Sequence, residues 1–505
     1  MRVQRSADGR DSCPGSYATA SIKLSNNGLT KAPFEQDRPL RTNYLLTASS
    51  LFIRRFMGRR MTFLGVAALV AIVAVACGGD SDGARLAPTS VAASDTPVSS
   101  VDSNLVPTLT TTPKPNEDGL LPEVGPNERA LASVLQGRGW GTDFTRFAAD
   151  LDIRNISSGG VPRDGIGSID APRFAPNSNP PDYMRTEEPV IVVSLNGDVR
   201  GYPLSIMTSH EIVNDVISGE PVLVTFCPLC NTSLVFPRTL PGGTVLEFGV
   251  SGFLQNSDLI MYDRQTETLW QQITGTGLIG THAATQLEFL PVSITSWSDF
   301  SASFPDGQIL LRPSDTERHS ITGRALARDY DRPPYVGYDS IDSSPFLFDG
   351  PFDGRLPPME RVASVTLDGF NVAYPYSFLS EQPVINDVIE GLSVTVFFDN
   401  GTESAFTARN GNFSKSGSTT LFNRVIDGRV LTFDLVDGVI TDGETGSVWN
   451  KFGAALDGEL AESQLEPVTH AAHFWFAWAA FKPNTEIRGS TDLLTSGLSA
   501  IAKPE

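Results

Sequence analysis

Cysteine is nearly absent: four in 505 residues, at positions 13, 77, 227 and 230. So few thiols, without regular spacing, exclude a disulfide-stapled framework, and each needs its own explanation. Long apolar runs are missing too. The most apolar stretch, Met61 to Ala76, falls short of the about 20 residues that a comfortable spanning helix needs. No Gly-x-Ser-x-Gly, phosphate-binding loop or dinucleotide fingerprint occurs. Basic residues are scarce beyond residue 76, where 27 Lys and Arg stand against 54 Asp and Glu; the whole chain carries a net charge of −20. A surface that acidic repels nucleic acid and anionic headgroups, so no nucleic-acid partner is expected, and it suits a soluble extracytoplasmic body.

The amino end reads as an export signal. Arg54, Arg55, Arg59 and Arg60 precede the apolar run, and Cys77-Gly78-Gly79-Asp80 follows it. A basic region, a short apolar region and small residues before a cut form a secretory signal. Ala74-Val75-Ala76-Cys77 resembles a bacterial lipobox, with Ala where Leu is usual. Cys77 is then the lipidated amino terminus, and the chain is anchored to the cell membrane on its extracytoplasmic face. Residues 1–56 read as an over-extended start, with Met57 or Met61 as initiator, and residues 57–77 as signal and lipobox. Residues 78–126 are rich in Ser, Thr, Pro, Gly and Asp and cannot bury enough apolar area to order themselves; they read as a disordered tether.

The body reads as two related halves. Asn196-Gly197 and Asp368-Gly369 each separate two β-rich runs, a strong hairpin signal because both central residues of a type I′ turn need positive φ. Tyr202-Pro203 recurs as Tyr374-Pro375, and Ile212 to Ile217 recurs as Val384 to Ile389 at the same spacing. Asp263, Thr266 and Trp270 recur as Asp442, Thr445 and Trp449. After a lead-in at 127–159, the halves span 160–312 and 359–490, separated by a linker or excursion at 313–358 and followed by a tail at 491–505. The expected class is α+β, predominantly β, with few helices. One helix is expected from a Thr208–Glu211 capping box to Gly219, with Ile212, Val213, Val216 and Ile217 on its apolar face. Another, buried, is expected from His470 to Phe481, placing His470 and His473 one turn apart. Val245–Val250 and Leu431–Val436 read as strands. His282 and His319 lie in polar stretches and read as solvated. Asp263, Glu267, Asp442 and Glu444 stand near Trp270 and Trp449 as parts of a repeated turn, with a ligand cleft as the alternative.

Several separated motifs are familiar in this order. Phe226-Cys-Pro-Leu-Cys-Asn-Thr232, Gly249-Val-Ser-Gly252, Asn256-Ser-Asp258, Asp263-Arg-Gln-Thr266, Leu269-Trp-Gln-Gln272 and Phe474-Trp-Phe-Ala-Trp478 resemble the bacterial family called domain of unknown function 3179 (DUF3179), over about residues 160 to 490. The resemblance implies an exported single-family body and no particular reaction.

Chemistry has one handle, Cys227-Pro228-Leu229-Cys230, directly after the β-rich run Val222 to Phe226. Two thiolates this close can grip one soft ion: Cu(I) alone, or Zn with two further ligands from His470 and His473, or from His210 as substitute. The pair could instead be a redox dithiol, although Asn231 to Phe236 lacks the long helix that activates such thiols. It could be a structural disulfide in a non-catalytic binding or scaffold lipoprotein, or two buried inert thiols. In the second half the corresponding positions are Asp399 and Thr402. A pair present in one half only argues for a site rather than a staple. No reaction, protein partner or small ligand follows from these residues.

Overall fold

A computed structural model describes residues 117–407 and 413–489. The signal, the lipidation residue Cys77, residues 1–56, most of the tether and the tail from 491 lie outside the described residues. Order begins before the expected end of the tether, since Leu120 is buried and bridges to Ala148. Helix Pro126–Gly137 follows.

The described chain is mostly β, with several sheets and five α-helices among the described residues. Strands Pro189–Leu195 and Asp198–Pro203 pair through Asn196-Gly197, which adopts φ of 51° and 82° as the turn chemistry requires. A short helix, Leu204–His210, comes next. The expected continuation to Ile217 is wrong: Ile212–Ile217 is a strand, paired with Glu220–Cys227. Its β-branched residues lose side-chain freedom in a helix and sit well on a pleated surface. Thr208 donates its hydroxyl back to the Leu204 carbonyl rather than capping a helix. Glu220–Cys227 pairs in turn with Thr232–Pro237, so the Cys-x-x-Cys segment is the turn between two strands.

Strands Phe248–Gln255 and Asp258–Asp263 form a longer hairpin, extended by Leu269–Gln271 and Gly277–Ile279. Ser293–Ser296 returns to pair with Pro189–Leu195, helix Trp297–Ser303 follows, and Gln308–Leu310 runs parallel to Asp198–Pro203.

The same pairings recur later. Arg361–Leu367 pairs with Phe370–Pro375 across Asp368-Gly369, Ala471–Phe474 pairs with the first of these, and Glu486–Ile487 runs parallel to the second. Val384–Ile389, Leu392–Asp399 and Ser418–Asn423 repeat the three-stranded order. The hairpin Phe433–Val436 with Val439–Asp442 is shorter than its counterpart. Trp270 donates its indole N–H to Asp263 at 3.0 Å, and Trp449 donates to Asp442 at 2.9 Å. Both carboxyls are buried and engaged, as parts of a repeated packed turn rather than a cleft.

A second correction concerns His470 and His473. Ala471–Phe474 is a strand and the helix begins only at Trp475, so the two imidazoles do not share a helical face. A third concerns His319, which is buried and bonded to Arg264 at 3.0 Å, not solvated. The largest apolar cluster contains Cys227, Leu229 and Cys230 together with Phe406, Phe474 and Phe476. The Cys turn thus lies in the core, where residues of both sequence halves meet.

Candidate functional site

The turn is built by its own sequence. Pro228 fixes φ at the position where a tight turn wants it, and Asn231 tolerates the left-handed conformation it adopts, φ 53°. The Cys230 N–H bonds the Cys227 carbonyl at 3.3 Å, which folds the two side chains toward one point. Both thiols are free and buried.

The long hairpin brings a third group. Its tip, Asn256-Ser257, turns with φ of 50° and 72° and delivers Asp258 into the core. The Cys227 Sγ lies 3.7 Å from the Ser257 carbonyl. One ligand atom from each of Cys227, Cys230 and Asp258 lies within 4.8 Å of the others. Asp258 Oδ2 accepts from Gln271 Nε2 at 2.5 Å and from the Ile273 N–H at 2.9 Å. No nitrogen or oxygen donor reaches its buried Oδ1, and the other hydrogen bonds to this carboxyl come from the two thiols.

Glu211 is the fourth acidic group. It follows helix Leu204–His210 with φ 61°, a strained conformation for a residue with a side chain, and it is buried. No ion pair or hydrogen bond engages its carboxyl among the described residues. Burial pushes that carboxyl up to about 8, and the charge of Asp258 adds to the shift. Burial likewise pushes Asp258 up to about 7, against the pull of the Ile273 N–H, the Gln271 amide and the two thiols. Burial raises the Cys227 thiol, and raises Cys230 well above the ordinary range with Cys227 and Asp258 adding to it. Without a cation the site at neutral pH is therefore two thiols, a protonated Glu211 and an Asp258 that shares its proton with solvent.

The 313–358 excursion packs on the Cys turn through its Tyr338–Phe348 stretch. Tyr338 donates its hydroxyl to the Leu229 carbonyl at 3.1 Å and accepts from the Phe346 N–H at 3.1 Å. Ser257 donates to the Phe346 carbonyl at 2.6 Å, and Phe348 packs edge-on against Phe476. The hairpin tip, the Cys turn and this segment are tied together.

The histidines are placed differently from the expectation. His210 is bonded through both ring nitrogens, to the Gly167 carbonyl at 2.7 Å and the Tyr330 hydroxyl at 2.8 Å, and burial lowers it to about 4. His470 lies between the carbonyls of Val468 and Thr419. His473 comes nearest to the turn: its Nδ1 is 2.7 Å from the Thr232 hydroxyl, which donates to the Cys230 carbonyl, and the Phe474 N–H donates to that same carbonyl. None of the three joins the group of ligand atoms around the thiols. The residues that sequence reasoning did not bring to the thiols are Asp258, whose carboxyl joins them, and Glu211, buried nearby. Asp258 had a signal, an acidic residue at a turn within a familiar motif; Glu211 had none beyond its neighbour His210.

Among the described residues from Arg361 onward, the corresponding positions carry no such group. Asp399 pairs with Lys451 at 3.3 Å, Thr402 bonds Ser418, and the shorter hairpin turns at Asp437-Gly438 without reaching inward. A family model described as "Protein of unknown function (DUF3179)" matches residues 163–485. No curated protein and no solved structure matches the chain.

Proposed function

The chain belongs to the DUF3179 family, and for it we propose a metal-binding role, with one ion held by Cys227, Cys230 and Asp258 in an exported, lipid-anchored body. The observation that carries this reading is the buried Asp258 carboxyl, its Oδ1 reached by no nitrogen or oxygen donor, beside two free thiols, with the unpartnered Glu211 close by. Four buried acidic groups with no basic side chain paired to them are costly in any ionised state. A divalent cation removes that cost by taking the place of the protons. The donor set favours zinc over Cu(I), because a carboxylate oxygen is a hard ligand and Cu(I) selects soft sulfur alone. Three protein ligands leave a fourth tetrahedral position open, as catalytic rather than structural zinc sites do. Glu211, whose charge is felt at Asp258 and Cys227, is the carboxyl we assign to act on whatever occupies that position.

Elevated thiol pKa values speak against a redox dithiol, since exchange needs an accessible thiolate. The closeness of the two sulfurs is what a disulfide reading has in its favour. Elemental analysis of protein purified without added metal decides between them. About one zinc per chain is expected, with both thiols silent to a thiol reagent until a chelator is added. Metal-free protein with Cys227 and Cys230 linked in the mass spectrum overturns the metal reading and leaves a scaffold lipoprotein.

The anchor rests on the sequence around Cys77. In a bacterial host the protein is expected to fractionate with membranes and to incorporate labelled palmitate, and Cys77→Ala to abolish the label. Unlabelled wild-type protein in the soluble fraction removes the lipobox from this account.

A further inference from the structure

A second cavity lies apart from the thiols, on the other side of His473. It measures about 300 Å³. That volume is at the low end for pockets that take small organic molecules. Trp478 and Phe289 supply flat apolar wall, and Trp478 stacks on the His473 ring with centroids 4.9 Å apart and planes 24° apart.

Two polar groups in this cavity have capacity to spare. Lys482, just after helix Trp475–Phe481, is half-buried and forms no ion pair among the described residues; the carboxylate nearest in effect is the exposed Asp150. His473 is 1% exposed, and beyond its Nδ1 contact to Thr232 its other ring nitrogen has no partner among the described residues. No Asp or Glu lines the cavity, although the chain has 58 of them. A single unpaired ammonium in an acid-free, aromatic-walled cavity is complementary to one negative charge on an apolar body. One ammonium balances a monoanion, not a phosphate dianion.

We propose that this cavity binds a small organic carboxylate with a flat apolar body, its carboxylate on Lys482 and its body against Trp478 and Phe289. The site is independent of the metal reading, since none of its residues is a proposed ligand of the ion.

The test uses benzoate, phenylacetate and hexanoate as probes, titrated calorimetrically into the purified protein, with benzamide as the uncharged match for benzoate. At least one carboxylate, benzoate foremost, is expected to saturate with Kd below about 1 mM, and benzamide to bind about tenfold more weakly or worse. Lys482→Met is expected to weaken benzoate by about tenfold. Thr366 is exposed at the rim, so Thr366→Phe fills the opening without disturbing the core and is expected to abolish binding while leaving the melting temperature unchanged. Failure of all three carboxylates to saturate overturns the proposal. So does equal binding of benzamide and benzoate, or unchanged affinity in both variants.

Discussion

Asp258→Asn is expected to weaken zinc binding by about 100-fold or more and, in the same protein, to stabilise the metal-free form at pH 8. The two effects have opposite signs because the carboxylate is useful only when an ion is present. Loss of an outer-shell partner of a metal ligand costs about 10–100-fold in affinity, so loss of a direct ligand lies at or beyond the upper end. Folding should survive, because the asparagine oxygen can still accept from the Gln271 amide and the Ile273 N–H that hold Asp258 Oδ2. What disappears is a buried negative charge, and its removal is expected to raise the stability of the metal-free protein by on the order of 2 kcal/mol. Cys227→Ser and Cys230→Ser should release the ion altogether, without the compensating gain. Competition with a chromophoric chelator gives the affinities, and thermal unfolding in excess chelator gives the stabilities. Wild-type zinc affinity in Asp258→Asn removes this residue from the ligand set.

The second large effect is on pH dependence. Asp258 and Glu211 hold their protons to about 7 and about 8 in the fold, whereas in the unfolded chain they release them near 4. Between those limits the folded state binds more protons than the unfolded one, so stability falls as pH rises. The contribution is fully present below about pH 4 and is lost by about pH 8. Its size is on the order of 4–5 kcal/mol, about what one such shift alone corresponds to, since the two carboxyls interact and do not add independently. In melting temperature this is roughly 5–10 °C for a body of this size. Zinc reverses the slope: binding displaces protons, so the stabilisation by metal grows with pH. An acidic protein has a general slope of its own, so the diagnostic is the difference from Glu211→Gln and Asp258→Asn, measured in chelator from pH 5 to 8.5. Identical slopes in wild type and both variants show that these carboxyls titrate normally.

Much of the frame was legible because its signals are local. Asn196-Gly197 and Asp368-Gly369 dictate their own turns, and each closes a hairpin between the β-rich runs that flank it. Ile212–Ile217 was misread because four apolar positions over six residues satisfy a helical face as well as a doubly buried strand, and only pairing with Glu220–Cys227 decides. The stretch from His470 to Phe481 is apolar throughout, so nothing in its pattern marks the change from strand to helix at Trp475. The Cys turn announced itself by residue type. Its third member did not, because Asp258 reaches the thiols through the length of a hairpin, and length acquires meaning only beside the shorter one at Phe433–Asp442.

The segment pinned over the Cys turn by Tyr338 and Ser257 bears on where an ion enters. On the metal reading, an ion beneath it would trade places with one in solution when the Tyr338 and Ser257 bonds open, so exchange in the finished protein is expected to be slow and to follow local unfolding. Occupancy then records the ions at hand when the chain closed, not those bathing it later. If the chain is exported before it folds, as proposed, the compartment of folding would choose the metal.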